Sequence, residues 1–153
     1  MVVRVQTDDF DIGVEISMMT AGRQDIGAIV TFSGLVRDMT GDQSVAVMEL
    51  EHYPGMTEKA LEKIEADANG RWPLQATLII HRVGPLNAGA NIVLVATASP
   101  HRQAAFEAAE FIMDFLKSRA PFWKKESGVD GGNWVDARDT DEEALARWTV
   151  SDD

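Results

Sequence analysis

The sequence predicts a mixed α+β fold in a single domain, and three observations carry that prediction. A chain of 153 residues, 45% of them hydrophobic and only five of them proline, is long enough to bury one core and too short to favour two. No internal repeat, low-complexity tract or linker divides it. Strand-like and helix-like segments follow one another without a regular strand–helix–strand rhythm. That favours a mixed or antiparallel sheet with packed helices over a doubly wound parallel sheet.

The elements can be justified in chain order. Asp11 can cap a short helix running to residue 19, and residues 27–36 form a β-rich run broken by Gly34. After a turn at residues 38–42, Val45, Val47 and Glu49 alternate with Ala46, Met48 and Leu50, the period of a strand. Pro54 and Gly55 end it, and Thr57 can cap a helix carrying Ala60, Leu61 and Ile64 on one face. Residues 76–83 and 92–99 predict two strands flanking a loop at 84–89 that is rich in turn formers. The strongest helix signal covers residues 100–118, with Ser99 as N-cap and Pro100 in the first helical position. Phe106, Ala109, Met113 and Leu116 supply its apolar stripe. Pro121 ends that region, and residues 122–126 predict a strand that reaches Trp134 and Val135 across a mobile glycine-rich turn at 127–133. A short helix at 141–148 closes the prediction.

Composition removes several function classes. Without cysteine, disulfides, thiolate metal sites and cysteine nucleophiles are excluded, so any sulfur chemistry must import its sulfur. A net charge of −11 argues against a nucleic-acid surface, which needs a basic face. The longest smooth apolar run, residues 92–98, falls far short of the ~18 residues that suggest a membrane span. The first residues lack the regions of a signal peptide, so a cytoplasmic protein is expected. Against this acidic background Lys117, Arg119, Lys124 and Lys125 lie within nine residues of one another, a local inversion of charge.

The candidate site residues follow from where the cations fall. His101 and Arg102 lie in the first turn of the predicted helix, where free N–H groups and the positive end of the dipole favour an anion such as phosphate or carboxylate. A solvated arginine beside a capping-region histidine is the plain alternative, and the residues leave the two balanced. Lys117 in the last turn is favourable against the dipole whatever else it does. Lys124 and Lys125 sit side by side in a strand, where alternation sends them to opposite faces and lets one reach a pocket. For Arg37, at a strand end before a loop, a surface role is the favoured reading by itself. Glu49, Glu51 and His52 do not suggest a metal site, because alternation puts His52 opposite the two acids. His81 and Arg82 are read as structural. No phosphate-binding loop, dinucleotide fingerprint or serine nucleophile elbow is present.

Several segments together resemble one family, the large subunit of molybdopterin synthase. They are residues 28–37 (AIVTFSGLVR), 50–56 (LEHYPGM), 81–84 (HRVG), 99–102 (SPHR), 111–117 (FIMDFLK) and 120–126 (APFWKKE). The match runs in order over most of the chain and is strongest over residues 27–148. The resemblance implies a single domain over residues 1–153 of the α/β hammerhead type. It further implies a homodimeric core with a small ubiquitin-like subunit at each end, whose C-terminal glycine thiocarboxylate threads into the large subunit. The implied substrate is cyclic pyranopterin monophosphate, which receives two sulfurs to become molybdopterin while its cyclic phosphate opens. No cofactor and no metal are implied.

Carried over by position, the pocket comprises Leu35, Val36, Arg37, His101, Arg102, Lys117, Lys124, Lys125 and Glu126, with Lys117 and then Lys124 as the catalytic candidates. The position of Leu35 is often basic in relatives. Clustered cations would lower the repulsion between an anionic phosphate and a thiocarboxylate. Two competing readings are an adaptor that binds a ubiquitin-like tail without catalysis and a phosphate-ester hydrolase. Tail binding alone would not need a pterin-sized set of cations, and no metal cluster or nucleophile motif supports hydrolysis.

Overall fold

The computed structural model describes residues 1–37, 47–128, 131–135, 143–146 and 148. Its elements are β1 (Val2–Gln6), α1 (Ile12–Thr20), β2 (Ala28–Leu35), β3 (Val47–His52), α2 (Met56–Arg71), β4 (Ala76–Arg82), β5 (Gly84–Asn87), β6 (Asn91–Ser99), α3 (Arg102–Arg119), β7 (Phe122–Gly128) and β8 (Gly131–Val135). They form two four-stranded sheets, one in the order β1-β4-β6-β2 and the other β5-β3-β7-β8. All pairs are antiparallel except β1 with β4. This is the mixed α+β architecture the sequence predicts. The predicted turn at 38–42 and the strand positions Val45 and Ala46 lie outside the described residues, as does part of the 127–133 turn. Of the predicted C-terminal helix, residues 143–146 and 148 are helical.

The first sheet is covered on both faces, so its central strands are apolar in both phases of their alternation. On one face Ile79 of β4 and Val93 and Val95 of β6 meet Leu61, Ile64 and Ala68 of α2 and Phe111, Ile112 and Leu116 of α3. On the other, Leu78, Ile80, Leu94 and Ala96 meet Phe10 and the inner side of α1. Fully burying a leucine or isoleucine of this kind contributes about 1.5–3 kcal/mol. The second sheet has its own smaller cluster of Val36, Met48, Leu50, Val83 and Leu86. Trp148 closes α3 from outside, donating its indole N–H to Asp114 at 2.6 Å and packing edge-on against Trp72 and Phe111.

Several expectations need correction. β1 gave no clear signal, because Val2-Val3-Arg4-Val5 is too short to show a period; pairing with β4 makes it a strand. Residues 84–87 are not loop: they form β5, which β3 recruits as an edge. Thr57 does not cap α2. Gly55 is the N-cap, at φ +85 where a side chain would be strained, and its N–H meets Glu58 at 2.6 Å. Thr57 is instead buried, its hydroxyl donating to the Tyr53 carbonyl at 2.8 Å and accepting from the Tyr53 N–H at 3.1 Å. Asp11 does cap α1, accepting from the Val14 N–H at 2.9 Å. On α3 the buried stripe is Ala105, Ala108, Ala109, Ile112 and Leu116 with Phe111 beside it, and Phe106 stands exposed on the far side.

Among the described residues Glu65 of α2 is the carboxyl most enclosed by this packing, 7% exposed and accepting from the Thr77 hydroxyl at 2.8 Å. Burial pushes its pKa up, outweighing the Thr77 hydrogen bond and the N-terminal ammonium, which pull it down. A folded-state pKa above the unfolded one gives a contribution that is full below the unfolded value of ~4.3 and is lost as pH rises through the folded value. Glu65→Gln cannot titrate. The thermal midpoint of the parent relative to this variant should therefore fall as pH is raised from about 4 to about 7. A gap that stays constant or widens in the parent's favour would contradict the assignment.

Candidate active site

The start of α3 is fixed by the end of β6. Ser99 is the last residue of that strand, fully buried, and its hydroxyl donates to the His101 carbonyl. Two residues earlier the buried Thr97 hydroxyl donates to the Ala105 carbonyl at 2.7 Å. Gly27 closes the same turn from β2, donating its N–H to the Ser99 carbonyl at 3.1 Å. A Cβ on Gly27 would come within 2.0 Å of the Pro100 carbonyl oxygen. The predicted cap is thereby displaced: His101 is the N-cap, Arg102 is the first helical residue, and Ser99 and Pro100 precede the helix.

His101 offers no side-chain cap, and the first turn holds no acidic residue. Unbonded N–H groups, the dipole and two exposed side chains that carry or can carry positive charge, His101 and Arg102, all face the same way electrostatically. Such a cation opposes the dipole in isolation, and an anion placed there relieves both. The far end of the helix is different. Lys117 is exposed beside the buried Leu116. Fifteen residues of helix separate it from Arg102, about 22 Å at 1.5 Å per residue.

A few residues beyond Lys117 in the chain stands Phe122, the first residue of β7. This ring packs against the cluster that contains Leu116 and also against the one that contains Val36 and Leu50. Its other support is the buried His81, stacked on it at 3.8 Å and bonded through Nδ1 to the Arg82 carbonyl at 2.9 Å. Arg82 in turn holds the Thr7 and Asn91 carbonyls at 2.9 Å each, so the structural reading of His81 and Arg82 is what the structure shows.

The same region receives the end of β2. Val36 is buried, its N–H on the Ala90 carbonyl at 2.9 Å and its carbonyl on the Gly89 N–H at 2.7 Å. That anchors the exposed Arg37 that follows. Leu35, 58% exposed, stands opposite Asn91 just past a register shift at Gly34. On β7 the backbone of Lys124 lies opposite Leu50 and Val135, Lys125 opposite Glu49 and Trp134, and Glu126 opposite Met48 and Asn133. The side chains of these three lie outside the described residues.

Within one chain the clusters that hold Leu116 and Val36 both pack against Phe122; Lys117 follows Leu116 in the chain, Leu35 and Arg37 flank Val36, and His101 and Arg102 stand at the other end of α3. Sequence reasoning missed the parts that hold this arrangement: Gly27, Thr97, Phe122 and the role of Ser99. A glycine just before a β-rich run was the one signal available. Among the described residues no group of three or more histidines and acids is placed to hold a metal, and His52 lies 3.2 Å from the Thr57 hydroxyl through Nδ1. No helix among them is long and apolar enough to cross a membrane.

Fold and sequence define a class: a mixed α+β protein of two four-stranded sheets whose longest described helix, α3, carries cations near both ends. The chain belongs to the family described as MoaE protein, which matches residues 5–119. It is 57% identical over 151 residues to the molybdopterin synthase catalytic subunit of Mesorhizobium japonicum, covering 97% of this chain and 94% of that one. Among solved structures it resembles the molybdopterin biosynthesis MoaE protein of Burkholderia ambifaria, with a TM-score of 0.85 and 56% identity over 98% of this chain and 99% of that one. The molybdopterin synthase structure from Staphylococcus aureus is similar at a TM-score of 0.78 and 34% identity, over 86% and 94% of the two chains.

An exposed lysine at a helix C-terminus contributes little to folding. Lys117→Ala should leave the thermal midpoint within about 2 °C of the parent, measured by calorimetry. A larger loss would mean that Lys117 has a structural role.

Proposed function

We propose that this chain acts as the sulfur-transferring large subunit of a molybdopterin synthase, in the cytoplasm and as one domain over residues 1–153. The observation that carries the reading is its likeness to a molybdopterin synthase catalytic subunit over nearly the whole of both chains. The partner is a small ubiquitin-like subunit whose C-terminal glycine thiocarboxylate brings the sulfur, which fits a chain that has no cysteine. Cyclic pyranopterin monophosphate accepts two sulfurs and its cyclic phosphate opens. Arg37, His101 and Arg102 hold the pterin and phosphate, with Leu35, Val36, Lys125 and Glu126 completing the pocket. Lys117 orients the thiocarboxylate and moves a proton, and Lys124 offsets developing negative charge.

The separation of Arg102 from Lys117 leads to a second part of the proposal, that each pocket is shared between two copies of the chain. One small pterin cannot touch both ends of a helix about 22 Å long between these residues. β2 offers a route to the second copy. Among the described residues it is the edge of its sheet, it carries no charge from Ala28 to Leu35, and it exposes Phe32 and Leu35. An edge with these properties is suited to pairing. A two-fold antiparallel pairing sets the Ala28 end, which lies against Ser99, beside the partner's Leu35 end, which runs into Arg37.

Product should form only when the small subunit ends in a thiocarboxylate; equal turnover with free sulfide and no small subunit would overturn the donor mechanism. Lys117→Ala should abolish turnover, and Arg102→Ala should weaken binding of the pterin phosphate by up to a few kcal/mol in calorimetry. At a pterin concentration too low for Arg102→Ala to turn over, mixing the two proteins under subunit exchange should restore about a quarter of parent activity, because half the dimers are mixed and each has one intact pocket. Mixtures that stay inactive after verified exchange would place each pocket within one chain.

A further inference from the structure

We propose that Ser99 is a positioning residue for the anion site at the start of α3, acting through His101 and Arg102 without touching substrate. The inference rests on the reading of those two residues as phosphate ligands. Three contacts converge on the four residues that connect β6 to α3. The Ser99 hydroxyl donates to the His101 carbonyl, the Gly27 N–H holds the Ser99 carbonyl at 3.1 Å, and the missing Gly27 side chain leaves the space that the Pro100 carbonyl fills.

Direction of the hydrogen bond matters here. A serine at this point in the sequence predicts an N-cap, whose oxygen would accept from a first-turn N–H. In the structure that oxygen is turned inward and fully buried. Its proton goes to the His101 carbonyl, and the helix N–H groups receive no side-chain cap from His101. The hydroxyl therefore shapes the turn and leaves the helix dipole open to an incoming anion. Thr97 supplies an internal comparison. It is just as buried, lies on the same strand, and also donates to an α3 carbonyl, yet its acceptor is Ala105, beyond the turn that carries His101 and Arg102. Thr97 fastens the helix; Ser99 sets the angle at which the two ligands leave it.

The test compares Ser99→Ala, Thr97→Val, Arg102→Ala and the Ser99→Ala/Arg102→Ala double variant, each with the thiocarboxylated small subunit and cyclic pyranopterin monophosphate. Ser99→Ala should raise KM for the pterin about tenfold with kcat within about twofold of the parent. Thr97→Val should lower the thermal midpoint but leave KM unchanged. Ser99→Ala should raise KM less in the Arg102→Ala background than in the parent, since part of its effect runs through Arg102 and the rest through His101. If Ser99→Ala does not fold, Ser99→Cys, which keeps the size and weakens the donor, reads the same KM.

A Ser99 variant with parent KM, while Arg102→Ala raises it, overturns the positioning role and leaves the anion site standing. Equal KM increases in the Ser99 and Thr97 variants, or Ser99 and Arg102 effects that multiply, also overturn it. Parent KM in Arg102→Ala removes the anion site itself, and this inference with it.

Discussion

The structure depends on α3 being held along its length against the first sheet. Thr97 and Ser99 fasten its start to β6, Phe111, Ile112 and Leu116 bury its inner face over Val93 and Val95, and Trp148 braces it from outside through Asp114. A helix fastened along its length cannot bend its ends toward each other, so the cations at residues 102 and 117 stay about 22 Å apart. One end is a helix start without a side-chain cap and the other follows Leu116 of the core; under the proposed function, a small substrate that needs both finds them on different chains.

Beyond the far end of α3 the chain enters the second sheet. Phe122 belongs to the packing of both sheets, and His81 behind it is buried, stacked and bonded. A histidine in a strand invites a catalytic reading; this one has both its ring face and its Nδ1 committed to structure. Val36, anchored by Gly89 and Ala90, belongs to one of these clusters, and the exposed Arg37 follows it in the chain.

Much of the fold was legible because long periodic segments report themselves. The helix at α3, the strands β2, β4 and β6 and the Asp11 cap follow from spacing alone. What was not legible depended on partners distant in sequence. β1 is a strand because β4 lies beside it, and β5 because β3 does. Thr57 and Ser99 look like caps by type, yet both hydroxyls turn inward to donate to carbonyls. Phe106 fits a helical stripe one position away from the face that tertiary packing buries. For the site, charge pattern alone left His101 and Arg102 balanced between ligand and surface residue and favoured a surface role for Arg37. The family resemblance selected them, and membership of that family is now established by the match over residues 5–119.

The central claim, a pocket completed by a second copy, is tested most directly by a distance. Because the chain has no cysteine, Arg102→Cys and Lys117→Cys chains can each carry one short-tethered spin label, and mixed dimers report the separation between position 102 of one copy and position 117 of the other. A shared pocket requires this distance to be well below the about 22 Å that a doubly labelled single chain will show. An intersubunit distance equal to or longer than the intrachain one would contradict it.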